Sequence, residues 1–160
     1  MNLEGVKGFR LDIGCGGNKQ KNFVGMDKRP LEGVDIVHDL EVFPYPIGDG
    51  EVLDIVGSHI IEHIKPWLMI DFMNELWRIL RVGGNLILSA PYGVGFPYVQ
   101  DPTHCNPVNE ATFQYFDPNF PLYGIYQPKP WKLAKGFPVW QDGGIIEVLM
   151  EKIEGKNGNG

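Results

Sequence analysis

Residues 11–18 read Leu-Asp-Ile-Gly-Cys-Gly-Gly-Asn, and a short apolar run from Phe9 to Ile13 leads into the glycines. A run that is apolar almost throughout and ends in glycine is typical of a buried parallel strand. Gly14 can take a positive φ and turn the chain sharply, and Gly16, which lacks a Cβ, lets a ligand lie against the backbone. The free N–H groups of such a turn point at an arriving anionic group. The stretch predicts a cofactor-binding turn, and a tight glycine turn between two ordinary elements fits it equally well.

The composition predicts one globular domain. The chain has 160 residues, of which 43% are hydrophobic and 12% aromatic, so it is long enough to bury a core. No apolar run reaches membrane-spanning length, and residues 1–10 lack the apolar centre of a signal peptide, so we expect a cytoplasmic protein without a membrane partner. Cys15 and Cys105 match no disulfide or zinc spacing and are expected to be free thiols. The net charge of −6 argues against nucleic acid as a partner.

Strand-like runs alternate with helical or loop crossovers up to residue 91. The later runs are 23–27, 34–39, 52–58 and 85–90. Apolar residues at helical spacing predict a helix that starts at Pro66 and is ended by Gly83-Gly84. The first crossover is short, and residues 16–22 leave room for at most one or two helical turns. This alternation indicates an α/β fold with a mostly parallel sheet.

The sequence beyond Pro91 is richer in proline and aromatic residues. It predicts one short helix over residues 110–116, with Asn109 as its N-cap. Two late strands are predicted over 131–139 and 145–153, joined by a hairpin-like turn.

We therefore expect a single domain over residues 1–153. Its first half, residues 9–91, holds the candidate cofactor site, and its second half, residues 92–153, holds the acceptor side. Residues 154–160 are expected to form a flexible tail.

Polar residues stand at the carboxyl ends of four predicted strands, the edge of an open parallel sheet where ligands bind. They are the Asp12 to Gly16 turn, Asp27, Asp39-Leu40 and Ser58-His59. A carboxylate such as Asp27 can accept both hydroxyls of a ribose. Asp39 followed by a backbone N–H can bind the edge of an adenine. Each acid alone is more typical of a solvated strand end, but the four in this order favour a nucleoside site.

The chain resembles the class I, Rossmann-like S-adenosylmethionine-dependent methyltransferases. The matching stretches lie in the expected order within residues 9–91, and the last two are more specific than the glycine turn. They are Leu11–Gly17, Gly25–Asp27, His38–Leu40, Ser58–His63 and Glu75–Ser89. The resemblance implies a mostly parallel sheet of about seven strands whose last strand is antiparallel, here with a shortened first helix.

The resemblance also implies the cofactor, S-adenosyl-L-methionine, and a role for each matching residue. Gly14, Cys15 and Gly16 would contact the methionine portion with Asp12 behind them, Asp27 would bind the ribose, Asp39 and Leu40 the adenine, and Ser58 the methionine end. Asn18 stands where the family has the third glycine of its loop. This difference and the short first helix affect how the methionine carboxylate is held.

Residues 59–63, His-Ile-Ile-Glu-His, also satisfy the His-x-x-Glu-His pattern of the inverted zinc peptidases. On one helical face His59 and His63 would lie four residues apart and could share a metal ion. The pattern directly follows a buried strand, however, and no strong third-ligand motif appears downstream. The sequence therefore predicts no metal site.

Three histidines, His59, His63 and His104, are candidate catalytic bases or substrate anchors, because imidazole takes up a proton near neutral pH. His104 ends the run Asp101-Pro-Thr-His, just beyond the fifth predicted strand. A histidine that only structures a loop fits each position at least as well. Six aromatic residues could line an acceptor pocket, although covering the sheet explains most of them: Tyr92, Tyr98, Phe116, Tyr123, Tyr126 and Trp131.

The sequence thus predicts methyl transfer from S-adenosylmethionine to a small-molecule, sugar or protein acceptor. The Asn/Asp-Pro-Pro-aromatic motif of amino-methylating DNA enzymes is replaced by Ser58-His59-Ile60, and the Pro-Cys of cytosine carbon-5 enzymes is absent. One alternative is a non-catalytic S-adenosylmethionine-binding module or partner subunit. The other is a nicotinamide-dependent oxidoreductase, which would also use Asp27. A pyrophosphate, however, needs a full helix N-terminus behind the glycines, and this crossover hardly has room for one.

Overall fold

The computed structural model describes residues 8–155, whose centre is an eight-stranded sheet. The strands are β1 (Phe9–Ile13), β2 (Val24–Asp27), β3 (Ile36–Val37), β4 (Val52–Ser58), β5 (Leu80–Pro91), β6 (Trp131–Leu133), β7 (Val139–Gln141) and β8 (Ile145–Lys152). Their spatial order is β3-β2-β1-β4-β5-β8-β6, and β7 also pairs with β8. Strands β1 to β5 pair in parallel, whereas β8 is antiparallel to β5. The predicted α/β fold, with its antiparallel last strand, is confirmed.

The helices are few and mostly short. They are α1 (Met69–Ile79), α2 (Phe96–Val99), α3 (Glu110–Gln114) and α4 (Tyr123–Tyr126), with 3₁₀ turns at Ile61–His63 and Pro66–Leu68. Helix α1 has 11 residues, and no helix in the part of the chain that the structure describes has the length and apolarity to cross a membrane. Its face of Phe72, Leu76 and Ile79 is fully buried in the main core.

The end of α1 differs from the prediction. The helix stops at Ile79, and the next residue already belongs to β5, so Gly83 and Gly84 lie in a strand and do not end a helix. A Cβ on Gly84 would lie 2.6 Å from the carbonyl oxygen of Leu53. This glycine therefore serves the close approach of β5 to β4.

The crossover from β1 to β2 is even more economical than predicted, because residues 14–23 form turns and no helix. Side chains of the neighbouring segments hold it instead. The Asp12 carboxylate accepts a hydrogen bond from the backbone N–H of Gln20 at 2.8 Å, and Lys19 pairs with Asp35 at 2.6 Å. The chain thus reaches β2 without the helix N-terminus that commonly backs a glycine turn in such sheets.

Two of the predicted strands need correction. The strand predicted over residues 131–139 is two strands, β6 and β7, that both pair with β8, and Gly136 between them has φ +87°. The strand predicted over 34–39 is reduced to β3. The Asn109 N-cap is confirmed by a capping box with Thr112, although α3 ends at Gln114. Residues 156–160 of the predicted tail lie outside the described residues.

Helix α1 is tied to the loop before β4 through a buried carboxylate. Glu75 Oε1 accepts hydrogen bonds from the Tyr45 N–H and from Arg78 Nη2, both at 2.6 Å, and Arg78 Nη1 also reaches Asp49 at 2.6 Å. Burial acts to raise the pKa of the Glu75 carboxyl, but the bonds from Arg78 and Tyr45 outweigh it and hold that pKa below its ordinary value. The loop that carries Tyr45 is therefore held by an ionised Glu75.

Replacing Glu75 with glutamine should lower the free energy of unfolding at pH 7 by about 1.5–3 kcal/mol, the scale of hydrogen bonds to a charged group. Because the folded-state pKa is depressed, this contribution is complete above the unfolded-state pKa of about 4.3 and is lost as the pH falls through the folded-state value. Urea unfolding at pH 7 and pH 3.5 measures it, and the difference between the two proteins should be smaller at the lower pH. Glu151→Gln, which removes a surface pair with Lys132, serves as control and should change little.

Candidate functional site

A cavity of about 390 Å³ opens at the carboxyl ends of β1, β2, β3 and β4, where the strand order reverses. This is the edge at which an open parallel sheet binds ligands. Its wall is formed by Gly14, Asp27, Lys28, Arg29, Asp39, Leu40, Glu41, His59, Ile60, His63, Ile64 and Thr103. We call it the strand-end cavity. It brings together six of the residues selected from the sequence: Gly14, Asp27, Asp39, Leu40, His59 and His63.

Gly14 shapes the floor of the strand-end cavity. Its φ is +64°, and its N–H donates to the carbonyl of Met26 at 2.7 Å. A Cβ at this position would lie 2.8 Å from the side chain of Ile60. The position therefore needs glycine both for its backbone conformation and for the packing of Ile60.

Replacing Gly14 with alanine should lower the free energy of unfolding by about 1–3 kcal/mol, because a left-handed backbone and a steric overlap act together. Gly17→Ala is a matched control in the same turn, since its added Cβ would meet no atom of residues 8–155 within 4 Å. Chemical unfolding of the three proteins gives the comparison. Equal effects at both positions would contradict a specific role for the Gly14 conformation.

Asp27 is the central acid of the strand-end cavity. Its residue is 5% exposed, and its oxygens accept hydrogen bonds from the Gly16 N–H at 2.9 Å, the Arg29 N–H at 2.9 Å and Arg29 Nε at 3.1 Å. Burial acts to raise the pKa of this carboxyl, but the bonds from Arg29 and Gly16 hold it below its ordinary value. Asp27 is therefore a carboxylate at neutral pH and an acceptor only.

Four other predicted cofactor residues stand around the cavity without lining it. Asp12 is buried and bonded to the crossover, and Gly16 donates its N–H to Asp27. Cys15 is buried, and burial together with the nearby Asp12 and Asp27 raises the pKa of its thiol, which is therefore neutral. Ser58 is exposed and accepts a hydrogen bond from Ser89 at 3.1 Å.

The far end of the strand-end cavity is built by the segment after β3. Asp39 Oδ1 accepts the N–H of Glu41 at 3.0 Å. Leu40 is 5% exposed, and its carbonyl accepts the hydroxyl of the buried Tyr45 at 2.9 Å. Because these local bonds fix the turn, an apolar side chain and a carboxylate stand side by side on the cavity wall.

A second cavity, of about 510 Å³, adjoins the first, because His59 and His63 line both. The other lining residues are Glu62, Gln100, Asp101, Pro102 and His104. We call it the histidine cavity. All three candidate catalytic histidines line it.

The spacing of His59 and His63 would place both on one face of an α-helix. The structure has no α-helix there. His59 has φ +53°, and only Ile61–His63 form a short 3₁₀ turn. A positive φ at a residue with a side chain is uncommon and costs about 1 kcal/mol or more. Here it lets the chain turn at the end of β4 so that both imidazoles line both cavities.

Several residues of the two cavities were not singled out from the sequence. Arg29 lies two residues after Asp27, and Thr103 and Glu62 lie inside motifs that were selected for their histidines. Two signals in the sequence could have found them. Arg29 is a basic residue close to a strand-end acid, and Glu62 is the acid of the His-x-x-Glu-His pattern. The six aromatic residues proposed as a pocket wall line neither cavity, and Phe116 and Trp131 lie in the core.

Comparison with known proteins gives a consistent picture. No protein-family model matches the chain. A protein of Mycolicibacterium smegmatis (strain ATCC 700084 / mc(2)155), named a probable S-adenosylmethionine-dependent methyltransferase, is 26% identical over 121 residues. The match covers 63% of this chain but 46% of the relative, so the chain spans less than half the length of that protein.

Solved structures share the fold. A SAM-dependent methyltransferase from Archaeoglobus fulgidus superimposes with a TM-score of 0.65 at 15% identity, over 94% of this chain and 88% of the other. A putative methyltransferase of Haloferax volcanii, solved in complex with the Trm112 methyltransferase activator, has a TM-score of 0.65 at 10% identity, over 93% and 84%. The chain has the fold of these enzymes, and the resemblance inferred from its sequence is confirmed.

Proposed function

We propose that this chain is an S-adenosylmethionine-dependent methyltransferase that binds its cofactor in the strand-end cavity and its acceptor in the histidine cavity. The observation that carries the proposal is the ionised Asp27 at the end of β2, in one cavity with the Gly14 turn and the Asp39-Leu40 wall. The sequence match to the mycobacterial methyltransferase and the shared fold support it.

The residues of the strand-end cavity fit S-adenosylmethionine. Asp27 offers two acceptor oxygens for the ribose hydroxyls, and Leu40 offers an apolar surface for the adenine beside the acceptor Asp39. Gly14 lines the same cavity, so the backbone of its turn can face the methionine portion. A volume of about 390 Å³ is within the usual range for a ligand of this size.

In this mechanism the strand-end cavity positions the cofactor, and the histidine cavity holds the acceptor and the groups that can take its proton. S-adenosylmethionine supplies an electrophilic methyl group on a positively charged sulfur. Because methyl transfer needs an in-line approach, the residues that hold donor and acceptor supply much of the rate. His59 and His63 line both cavities, so either imidazole can take the proton that an acceptor hydroxyl or amine loses when its bond to carbon forms.

The acceptor class is inferred from the net charge of the chain. With a net charge of −6, the chain favours a small-molecule, sugar or protein acceptor over nucleic acid. We also propose that the reaction takes place in the cytoplasm, as expected from the sequence.

Calorimetry with S-adenosylmethionine, S-adenosylhomocysteine and NAD tests cofactor choice. We expect binding of the first two and none of NAD, and preferential binding of NAD would overturn the proposal. Release of S-adenosylhomocysteine in the presence of a panel of hydroxyl and amine acceptors then tests catalysis. A protein that binds the cofactor but releases no product with any acceptor would instead be a binding module or partner subunit.

A further inference from the structure

Glu62, His63 and His104 form a compact group at the wall of the histidine cavity. Each offers one ligand atom, and these atoms all lie within 4.8 Å of one another. We propose that the three side chains bind one divalent transition-metal ion, with Zn²⁺ as the best fit. Two imidazoles and one carboxylate are a known ligand set of catalytic zinc, which keeps a further position open for water or substrate.

The buried carboxylate of Glu62 is the strongest sign of a missing ligand. The residue is 0% exposed, and neither carboxylate oxygen has a hydrogen-bond partner among residues 8–155. Buried polar groups are nearly always paired, and an unpaired buried carboxylate is costly. The nearest charged or chargeable atoms are imidazole nitrogens, with His59 Nδ1 at 3.3 Å and His104 Nε2 at 4.0 Å from Oε1. A cation bound among these imidazoles would satisfy the carboxylate.

The backbone around Glu62 joins the two segments that supply the ligands. Its carbonyl oxygen accepts the N–H groups of Cys105 at 2.9 Å and Asn106 at 3.1 Å. The 3₁₀ turn with Glu62 and His63 is therefore fastened to the loop with His104. The ligand group is held together before any metal arrives.

His104 is held in the tautomer that a metal needs. Its Nδ1 lies 2.8 Å from the carbonyl oxygen of Tyr98, which can only accept, so Nδ1 carries the proton. In the neutral ring Nε2 then has a free lone pair, and this is the atom that faces Glu62. A backbone carbonyl bonded to the second nitrogen is the usual outer partner of a metal-binding histidine.

His63 has a similar outer partner. Thr103 Oγ1 lies 3.3 Å from His63 Nδ1 and donates its own proton to Asp101 at 2.7 Å. The hydroxyl is thereby oriented by Asp101 and in turn orients the imidazole. Both histidines of the group thus have a fixed ring, as expected of ligands.

The place of the ion gives it a role that rests on the proposed function. An acceptor hydroxyl bound at the open position would lose its proton more readily, because the ion stabilises the resulting oxyanion. With His63 bound to the ion, the proton leaves to water or to His59, which is then the base of the two. The oxygen forms its bond to the methyl carbon, and the carbon–sulfur bond breaks with its electron pair going to sulfur. The site therefore favours an oxygen acceptor over an amine.

Metal titration of the full chain tests the site without any methyl acceptor. The protein is stripped with a chelator and titrated with Co²⁺ by visible absorption and with Zn²⁺ by calorimetry. We expect one ion per chain, and an affinity at least about 100-fold lower for Glu62→Gln and for His104→Gln. Two matched controls, His38→Gln and Cys105→Ser, remove a distant histidine and a neighbouring thiol and should bind as the parent protein does. Circular dichroism verifies that each variant is folded.

A parent protein that binds no more metal than its His104→Gln variant would overturn the proposal, and so would equal loss in the His38→Gln control. Calorimetry with S-adenosylhomocysteine on the same samples keeps the two proposals apart. Metal binding without cofactor binding would remove the proposed function and leave the metal site. Cofactor binding without metal binding would do the reverse.

Discussion

Replacing Asp27 with alanine is expected to weaken S-adenosylmethionine binding by roughly 1–3 kcal/mol, a loss of about 5- to 150-fold. The carboxylate is the only acidic side chain that ends β2, and its depressed pKa keeps it ionised at neutral pH. Two hydrogen bonds from ribose hydroxyls to one charged group would disappear together. Alanine also frees the Gly16 N–H, which now donates to Asp27, so the turn that faces the methionine portion loses a support.

Calorimetry with S-adenosylhomocysteine measures the Asp27 effect, because the product shares the ribose. Asp27→Asn separates charge from shape, since it keeps one acceptor oxygen and should lose less affinity than alanine. Asp54→Ala, which removes an acid from β4 that pairs with Arg10 at 3.3 Å, is the control and should bind normally. Unchanged binding in a folded Asp27→Ala protein would remove Asp27 from the site.

Replacing Glu62 with methionine should stabilise the metal-free protein by about 1–3 kcal/mol while abolishing the proposed metal binding. The carboxyl is fully buried and has no hydrogen-bond partner in the described part of the chain. Burial raises its pKa, against the opposing effect of His59, His63 and His104. Exchanging such a group for an apolar side chain of similar volume is often stabilising. We thus expect Glu62 to lower the stability of the metal-free protein while enabling it to bind the metal ion.

Urea unfolding in EDTA and in excess Zn²⁺ measures both halves of the Glu62 prediction. Zinc should raise the stability of the parent protein by mass action and leave the variant unchanged. His38→Gln again serves as control and should respond to zinc as the parent does. A variant that is much less stable than the parent in EDTA would show that Glu62 supports the fold directly.

The part of the fold that the sequence predicted is the part encoded by local patterns. The strands β1 and β4 are short apolar runs with clear ends. Gly14 directly follows β1, and Asp27 is the last residue of β2. Parallel pairing then brings these ends to one edge, so the strand-end cavity could be foreseen from spacing alone.

The rest depends on contacts between distant segments. The third ligand of the Glu62 group, His104, comes from a loop beyond β5. Bonds between distant segments bring it near, such as those from the Cys105 and Asn106 N–H groups to the Glu62 carbonyl. Gly84 was predicted to end a helix. Its actual role is to let β5 approach β4 closely, and the sequence does not show which strand lies beside it. The split of residues 131–139 likewise depends on two separate pairings with β8.

In the structure Arg29 binds the same Asp27 carboxylate that we assign to the ribose, so Arg29 competes with the cofactor for it. The guanidinium is 60% exposed, and its Nε and Nη2 both approach the carboxylate that we assign to the ribose. The measured affinity would then reflect the free energy of the bonds between Asp27 and the ribose minus that of the bonds between Asp27 and Arg29. Because solvent screens the exposed guanidinium, this competition is weak, and replacing Arg29 with alanine would tighten binding by a few-fold at most. The scaffold can therefore bind its ligand more tightly than its present side chains allow.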